Sequence, residues 1–298
     1  AISTGTFCEA KWVVDPTAGQ GTHTTIATAL TSASSGDTIF IRPGTYTENL
    51  TLKVGVNLCA NDCDAFTPNV TIVGTCTLTA AGTVSISGIR HQTNSAAFLA
   101  VTGSAASIVN LRNCYLNASN NNGITFSTSS PSAQINCIDC MGDLGSNTTY
   151  FANSSAGTLT FLKTYITNSF GATTASTSSA GTIVCESSLL FFPITTSSTG
   201  IINAIYTVIN CTAINTTALT CGGGTSAMQH CELDGGTASA LSVGGTLQLE
   251  IATISSSNTN AITGAGTLTH SGLSFIGSSS LINTTTQIVG KTSPIQTS

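Results

Sequence analysis

The sequence predicts an all-β chain wound as a parallel β-helix, a solenoid of stacked coils with a short N-terminal capping helix. Three observations predict it. A phrase recurs: "AGTVSISGIRH" from Ala81, "AGTLTFLKTYITN" from Ala156, "AGTIVCESSLL" from Ala180, "GGTLQLEIATI" from Gly244 and "AGTLTHSGLSF" from Ala265. Its markers, at Gly82, Ala106, Ser132 or Ala133, Gly157, Gly181, Gly200, Gly224, Gly245 and Gly266, are 19 to 26 residues apart, a period that belongs to solenoids. Within each unit apolar residues alternate with period two, as in Leu159, Phe161 and then Tyr165, or Leu247, Leu249 and Ile251, which is a strand pattern.

The composition suits long sheets. Hydrophobic residues make up 41% of the 298 residues and charged residues only 6%, against about 25% in an average soluble domain. Ser, Thr, Asn and Gly fill the gap, and Thr packs well on a pleated surface. The net charge of -5 is spread thinly. With no basic patch, no nucleic-acid partner is expected. With no apolar run near the ~18–20 residues of a spanning helix, no membrane insertion is expected. The first residue is Ala, so the chain reads as processed or as a fragment.

Taken in order, residues 1–35 read as an N-terminal arm and cap. "THTTIATALTSASSGD" places Ile26, Ala29 and Leu30 at helical spacing before Ser-Ser-Gly breaks the run. A helix there would cover the unpaired edge of the first coil. Residues 36–286 read as the β-helix. A second apolar cluster follows each marker by about ten residues ("AFLAV" 97–101, "GITFS" 123–127, "ALSVG" 240–244, "AITGA" 261–265), with turn residues such as "NASNNN" 117–122, "DGGTAS" 234–239 and "SSSNTN" 255–260 between. Coils about 4.8 Å apart then align a core column through Val84, Ile108, Leu159, Ile183, Ile202, Leu247 and Leu268. Gly in the recurring phrase reads as a corner residue with a backbone other residues avoid. Residues 287–298 lose the repeat and read as a tail or linker.

Residues 22–52, "THTTIATALTSASSGDTIFIRPGTYTENLTL", resemble the opening of right-handed β-helices of the pectin-lyase-like superfamily. Thr25, Ile26, Ala29, Leu30, Gly36, Asp37, Ile39, Ile41, Pro43, Gly44, Tyr46 and Glu48 match the pattern. The match implies a right-handed coil and leaves activity open, since that superfamily holds lyases, hydrolases, esterases and inert scaffolds. "KWVVDPTAGQGTHTTI" and the distal Ser/Thr/Asn-rich repeats resemble bacteriophage and prophage tail-fibre or tail-spike β-helices. That resemblance implies a virion structural or adhesion role and brings no catalytic residue with it. It also implies a homo-oligomer, with a trimer the usual arrangement.

Chemistry is sparse. Pectinesterase-like β-helices carry an Asp pair and an Arg on neighbouring coils, and no counterpart stands out; Arg42 and Glu48 read as a turn and a strand edge. Glycoside hydrolysis needs two carboxyls roughly 5–9.5 Å apart. Asp139, Glu186, Glu232 and Glu250 lie in or near first strands, with Glu186 and Glu250 in one column three coils, about 14 Å, apart. Glu232 and Asp234 are the close pair on an expected strand. They face one side about 6.6–6.8 Å apart along the backbone, either an inverting pair or a solvated strand-to-turn edge. Asp62 and Asp64 read as turn formers.

His23, His91, His230 and His270 are scattered, so no metal or cofactor is expected. The eleven cysteines include Cys114 and Cys140 at similar repeat positions, as a buried column requires, and the close pairs Cys59/Cys63 and Cys137/Cys140. Cys59–Cys63 is the first disulfide candidate, followed by Cys211, Cys221 and Cys231. Asn-rich turns read as left-handed corners and stacked ladders, or as sugar-binding amides. Asn-x-Ser/Thr triplets at Asn49, Asn69, Asn147 and Asn215 are expected by chance. Trp12 is the one tryptophan, so no extended stacking groove is indicated.

These readings favour a non-enzymatic structural or receptor-binding module of a phage-like tail fibre or spike, in a virion tail or at a cell surface, with a host surface polysaccharide as the expected contact. A polysaccharide depolymerase on the same scaffold, using Glu232 and Asp234, is the alternative. A bacterial extracellular adhesin or self-assembling filament subunit is the third.

Overall fold

The computed structural model describes residues 11–60, 68–93, 98–103, 106–118, 124–128, 130–143, 151–153, 156–167, 175–177, 180–211, 216–258, 260–276, 287–290 and 296–297. They wind as a right-handed parallel β-helix. A coil such as the one from Thr158 carries three strands, Thr158–Leu162, Tyr165–Thr167 and Ala175–Thr177. Stacking like on like makes three parallel sheets. The third contains ten strands among the described residues. The first and second are continuous where Thr246–Ser255 and Thr267–Ile276 run through both. The expected second apolar clusters form the third sheet, for example Leu241–Val243 and Ile262–Thr263. Among the described residues no helix is long and apolar enough to cross a membrane.

The core column is real, with one slip. Register links Val84 to Val109, Ile135, Leu159, Ile183 and Ile202, then Ser226, Leu247 and Leu268. Ile108, expected in it, faces outward. The strand starts one residue later than its marker suggested, with Ser107 buried and its hydroxyl donating to the Ala80 carbonyl at 2.8 Å. A one-residue shift exchanges the two faces. Ser226 interrupts the aliphatic stack, and its hydroxyl accepts the Ile202 N–H at 3.0 Å. A second inner column runs beside it through Leu111, Cys137, Phe161, Cys185, Ala204, Met228 and Leu249.

Two expected core residues are outside. Tyr165 is 38% and Ile251 53% exposed. The reason is a corner between the first two sheets that the alternation hides. One residue per coil adopts positive φ there: Asn113, Asp139, Lys163, Ser187, Tyr206, His230 and Ile251, all at 49–52°. The next residue turns inward. Where it is Cys114, Cys140, Thr164, Ser188, Thr207 or Cys231, its thiol or hydroxyl donates to the carbonyl two residues back at 2.9–3.4 Å. That carbonyl already accepts an inter-coil amide, as Leu162 does from Asp139 N at 2.9 Å, so the side chain takes its second lone pair. Cys, Ser and Thr alternate in this column because each is small and can donate.

Ile251 is the costly member of the corner, since a β-branched side chain crowds the following carbonyl in this conformation. Ile251→Gly is expected to stabilise by about 1 kcal/mol, the relief of strain less the entropy of glycine, read as a higher urea midpoint. An unchanged or lower midpoint would contradict the corner geometry.

Gly82 of the recurring phrase takes the expected positive φ, 135°, but two other glycines of the phrase have a different role. A Cβ on Gly245 would lie 2.3 Å from the Gly222 carbonyl oxygen, and one on Gly266 would lie 2.2 Å from that of Gly245. At these two positions close approach between coils, rather than an unusual φ, excludes a side chain.

At the N-terminal end, Ile26–Ser32 forms the expected helix and buries Ile26, Ala29 and Leu30. The Thr25 hydroxyl accepts the Thr28 N–H. The Glu48 carboxylate accepts the N–H groups of Ile26 and Ala27, both at 2.9 Å, satisfying helix-end donors that have no partner within the helix. Glu48, at the end of the strand Gly44–Thr47 as expected, therefore also supports the helix N-terminus that Thr25 caps. Arg42 pairs with Asp15 at 3.2 Å. Asp37 accepts from Trp12 Nε1 and Ser34 N, each at 2.8 Å. The expected boundaries do not fall at the ends of the sheets. Trp12–Val14 already pairs with Thr38–Ile41, and residues 287–290 and 296–297 pair with the coil before them.

Candidate functional site

The charged residues of the opening motif are committed to structure. Hydrogen bonds from the Ser34 amide and the Trp12 indole hold the Asp37 carboxyl at a pKa of about 2. The Tyr46 hydroxyl donates to the Arg42 carbonyl at 2.9 Å, and desolvation pushes it up to about 12.

Glu232 and Asp234 lie on the outer side of the second sheet with Leu233 buried between them. The Asp234 carboxylate accepts the Gly236 N–H at 2.9 Å, which closes the turn after the strand. Glu232 is exposed. Glu186 and Glu250 share a column of the first sheet, in the order Glu186, Ile205, Gln229, Glu250. Three coils at about 4.8 Å separate them by about 14 Å, beyond the 9.5 Å limit for a glycosidase pair.

The first sheet's outer face carries a depression of about 670 Å³ around Asn203, Gln229, Gln248, Glu250, Thr269 and Ser271. The flat strands present these side chains in two adjacent rows, and Ala227 leaves the middle shallow. Gln229 Nε2 donates to Glu250 Oε2 at 2.7 Å. His270 also lines the depression; it is 7% exposed and its Nδ1 has no hydrogen-bond partner. Sequence reasoning weighed Glu250 only against Glu186 and passed over Gln229 and Gln248. The available signal was register: Gln229 and Glu250 each follow an inner-column residue by one.

The remaining candidates are dispersed. His23 packs against Trp12 at 5.3 Å, His91 against Phe98 at 4.4 Å, and His230 stacks on Tyr206 at 4.9 Å. Among the described residues no three His, Cys, Asp or Glu side chains converge as metal ligands. Cys137 belongs to the first sheet's inner column and Cys140 to the corner. Cys211, Cys221 and Cys231, expected as further disulfide candidates, are buried thiols without a bridge. They sit at the end of a second-sheet strand, in a third-sheet strand and at the corner, so the winding separates them. Cys63, Asp62, Asp64, Asn147 and Asn215 lie outside the described residues. Of the Asn-rich turns, 119–122 lie outside the described residues, and Asn258 donates to the Thr237 carbonyl at 2.9 Å; on the strands, Asn136 Nδ2 donates to Asn110 Oδ1 at 2.9 Å.

No family model and no curated protein matches the chain. Solved structures similar to it include pectin methylesterase PemA from Erwinia chrysanthemi, 11% identical over 94% of this chain and 92% of that one, with a TM-score of 0.49. Another is the pectin methylesterase from Aspergillus niger in deglycosylated form, 13% identical over 97% of this chain and 92% of that one, with a TM-score of 0.44. At such identities the likeness concerns the winding of the backbone, and no residue role passes from either protein to this chain. Neither is a tail-fibre or tail-spike protein, and the expected virion assignment draws no support from them.

Proposed function

We propose that the chain is a polysaccharide-engaging β-helix that holds a glycan against the outer face of its first sheet. The observation that carries this reading is the Gln229–Glu250 pair in a depression that also holds Asn203, Gln248, Thr269 and Ser271 beside apolar Val184, Ile205 and Ala227. A carboxamide both donates and accepts, and a carboxylate only accepts. Together they match the mixed donor and acceptor edges of sugar hydroxyls. Rows repeating every coil, about 4.8 Å, favour a polymer lying along the helix axis over an isolated sugar. Retention without turnover is supported by Glu250 being the single carboxylate among the described lining residues, since Glu186 is too distant to act with it. Attachment to a surface polysaccharide, from a tail fibre, an adhesin or an extracellular filament, is the setting in which such a face serves.

Affinity electrophoresis against pectic and capsule-type polysaccharides tests this. Glu250→Ala and Gln248→Ala are each expected to weaken the best ligand about tenfold, or about 1.4 kcal/mol. Undiminished binding by both variants would overturn the reading.

A second reading, a polysaccharide-modifying enzyme, is favoured by the placement of the Glu250 carboxyl inside the depression. It requires release of reducing ends, unsaturated sugars or methanol from the bound polymer, lost in Glu250→Gln. Loss in Glu232→Gln instead would move the chemistry to Glu232 and Asp234 on the second sheet.

A further inference from the structure

We infer that the outer face of the second sheet is an antiparallel, two-fold interface between two copies of this chain. One outward column of that sheet runs, coil by coil, Arg90, Tyr115, Met141, Tyr165, Leu189, Val208 and Glu232. Every residue in it is half-buried or exposed. Five apolar or aromatic side chains in succession form a continuous stripe, and such stripes mark interaction surfaces. Phe191 widens it, meeting the Tyr165 ring edge-on at 5.9 Å.

The ends of the stripe identify the partner. A cation stands at one end and an anion at the other, six coils or about 29 Å apart. The Arg90 guanidinium lies over the Tyr115 ring at 4.7 Å, and its Nε is buried without a hydrogen-bond partner. Tyr165 is the central member of the seven. A two-fold axis lying in the interface plane and crossing the stripe at right angles at Tyr165 sets Tyr165 on its own copy, Met141 on Leu189 and Tyr115 on Val208. It brings Arg90 to Glu232 of the partner subunit at both ends, giving a self-complementary surface of the kind two-fold symmetry requires. An in-register parallel arrangement would instead put Arg90 beside Arg90 and Glu232 beside Glu232, and like charges facing each other disfavour it. The depression on the first sheet belongs to another face and plays no part in this contact.

Sedimentation equilibrium across micromolar concentrations tests the interface. A concentration-dependent dimer is expected for the native chain. Tyr165→Asp and Glu232→Arg should each weaken it at least tenfold, with circular dichroism unchanged. Combining Arg90→Glu with Glu232→Arg should restore it, because the exchanged charges again meet across the axis. Three outcomes would overturn the inference: a monomer at all concentrations, a trimer, or a double exchange no better than Glu232→Arg alone.

Discussion

Phe161→Ala is expected to destabilise the chain by about 3–5 kcal/mol, the range for removing a fully buried phenyl ring from a packed core. Phe161 has no exposed surface. Its neighbours in the inner column are Cys137 and Cys185, both small, and the ring meets Phe192 edge-on at 5.9 Å. Neither cysteine can expand into the space a phenyl leaves. The sheet above and below is tied by inter-coil hydrogen bonds and cannot collapse, so the cavity persists. Urea unfolding at unchanged slope measures the loss; a cost below about 1 kcal/mol would mean that the layer closes over the gap, contrary to the rigid stacking described above.

The buried thiols are expected to resist a thiol reagent in the native state and to react readily once the chain unfolds. Desolvation raises the Cys76 and Cys221 pKa values from 9.0 to about 12, and desolvation with the nearby Asp234 charge does the same for Cys211. Three units reduce the thiolate fraction near pH 8 about a thousandfold, before access is considered. The same shift sets a pH dependence. These thiols stay protonated in the folded chain and ionise in the unfolded chain above about pH 9. Their contribution is therefore complete below pH 9 and is lost as pH rises toward 12. Native labelling of Cys76 at the rate of the unfolded chain would contradict its burial. A urea midpoint that rose between pH 8.5 and 10.5 would contradict the sign.

The strand alternation in "GTLTFL" was legible because Leu159 and Phe161 both face inward in one short strand. The same reading failed at Ile251 and Tyr165. Ile251 is itself a left-handed corner residue and Tyr165 lies two residues beyond one, where the chain changes direction and a period of two no longer follows the face. Ile108 failed for a related reason, since a marker residue does not specify on which side of it a strand begins. The strand-edge position of Glu48 was legible, but its bonds to the amides of Ile26 and Ala27 were not, because those partners are 22 and 21 positions away. The site was less legible than the fold. Gln229 and Glu250 are 21 positions apart, and only their register across adjacent coils makes them a pair.

The amino-acid order alone determined that this chain would coil: the repeat length, the apolar alternation and the scarcity of charge leave few other ways to bury 41% hydrophobic residues. Tertiary structure decided which residues align, Gln229 against Glu250 on the first sheet and the outward column from Arg90 to Glu232 on the second. Alternation is a local property of the backbone, whereas the alignment of one coil on the next depends on the length of every turn between them, and coils of unequal length leave no simple count from which to infer it.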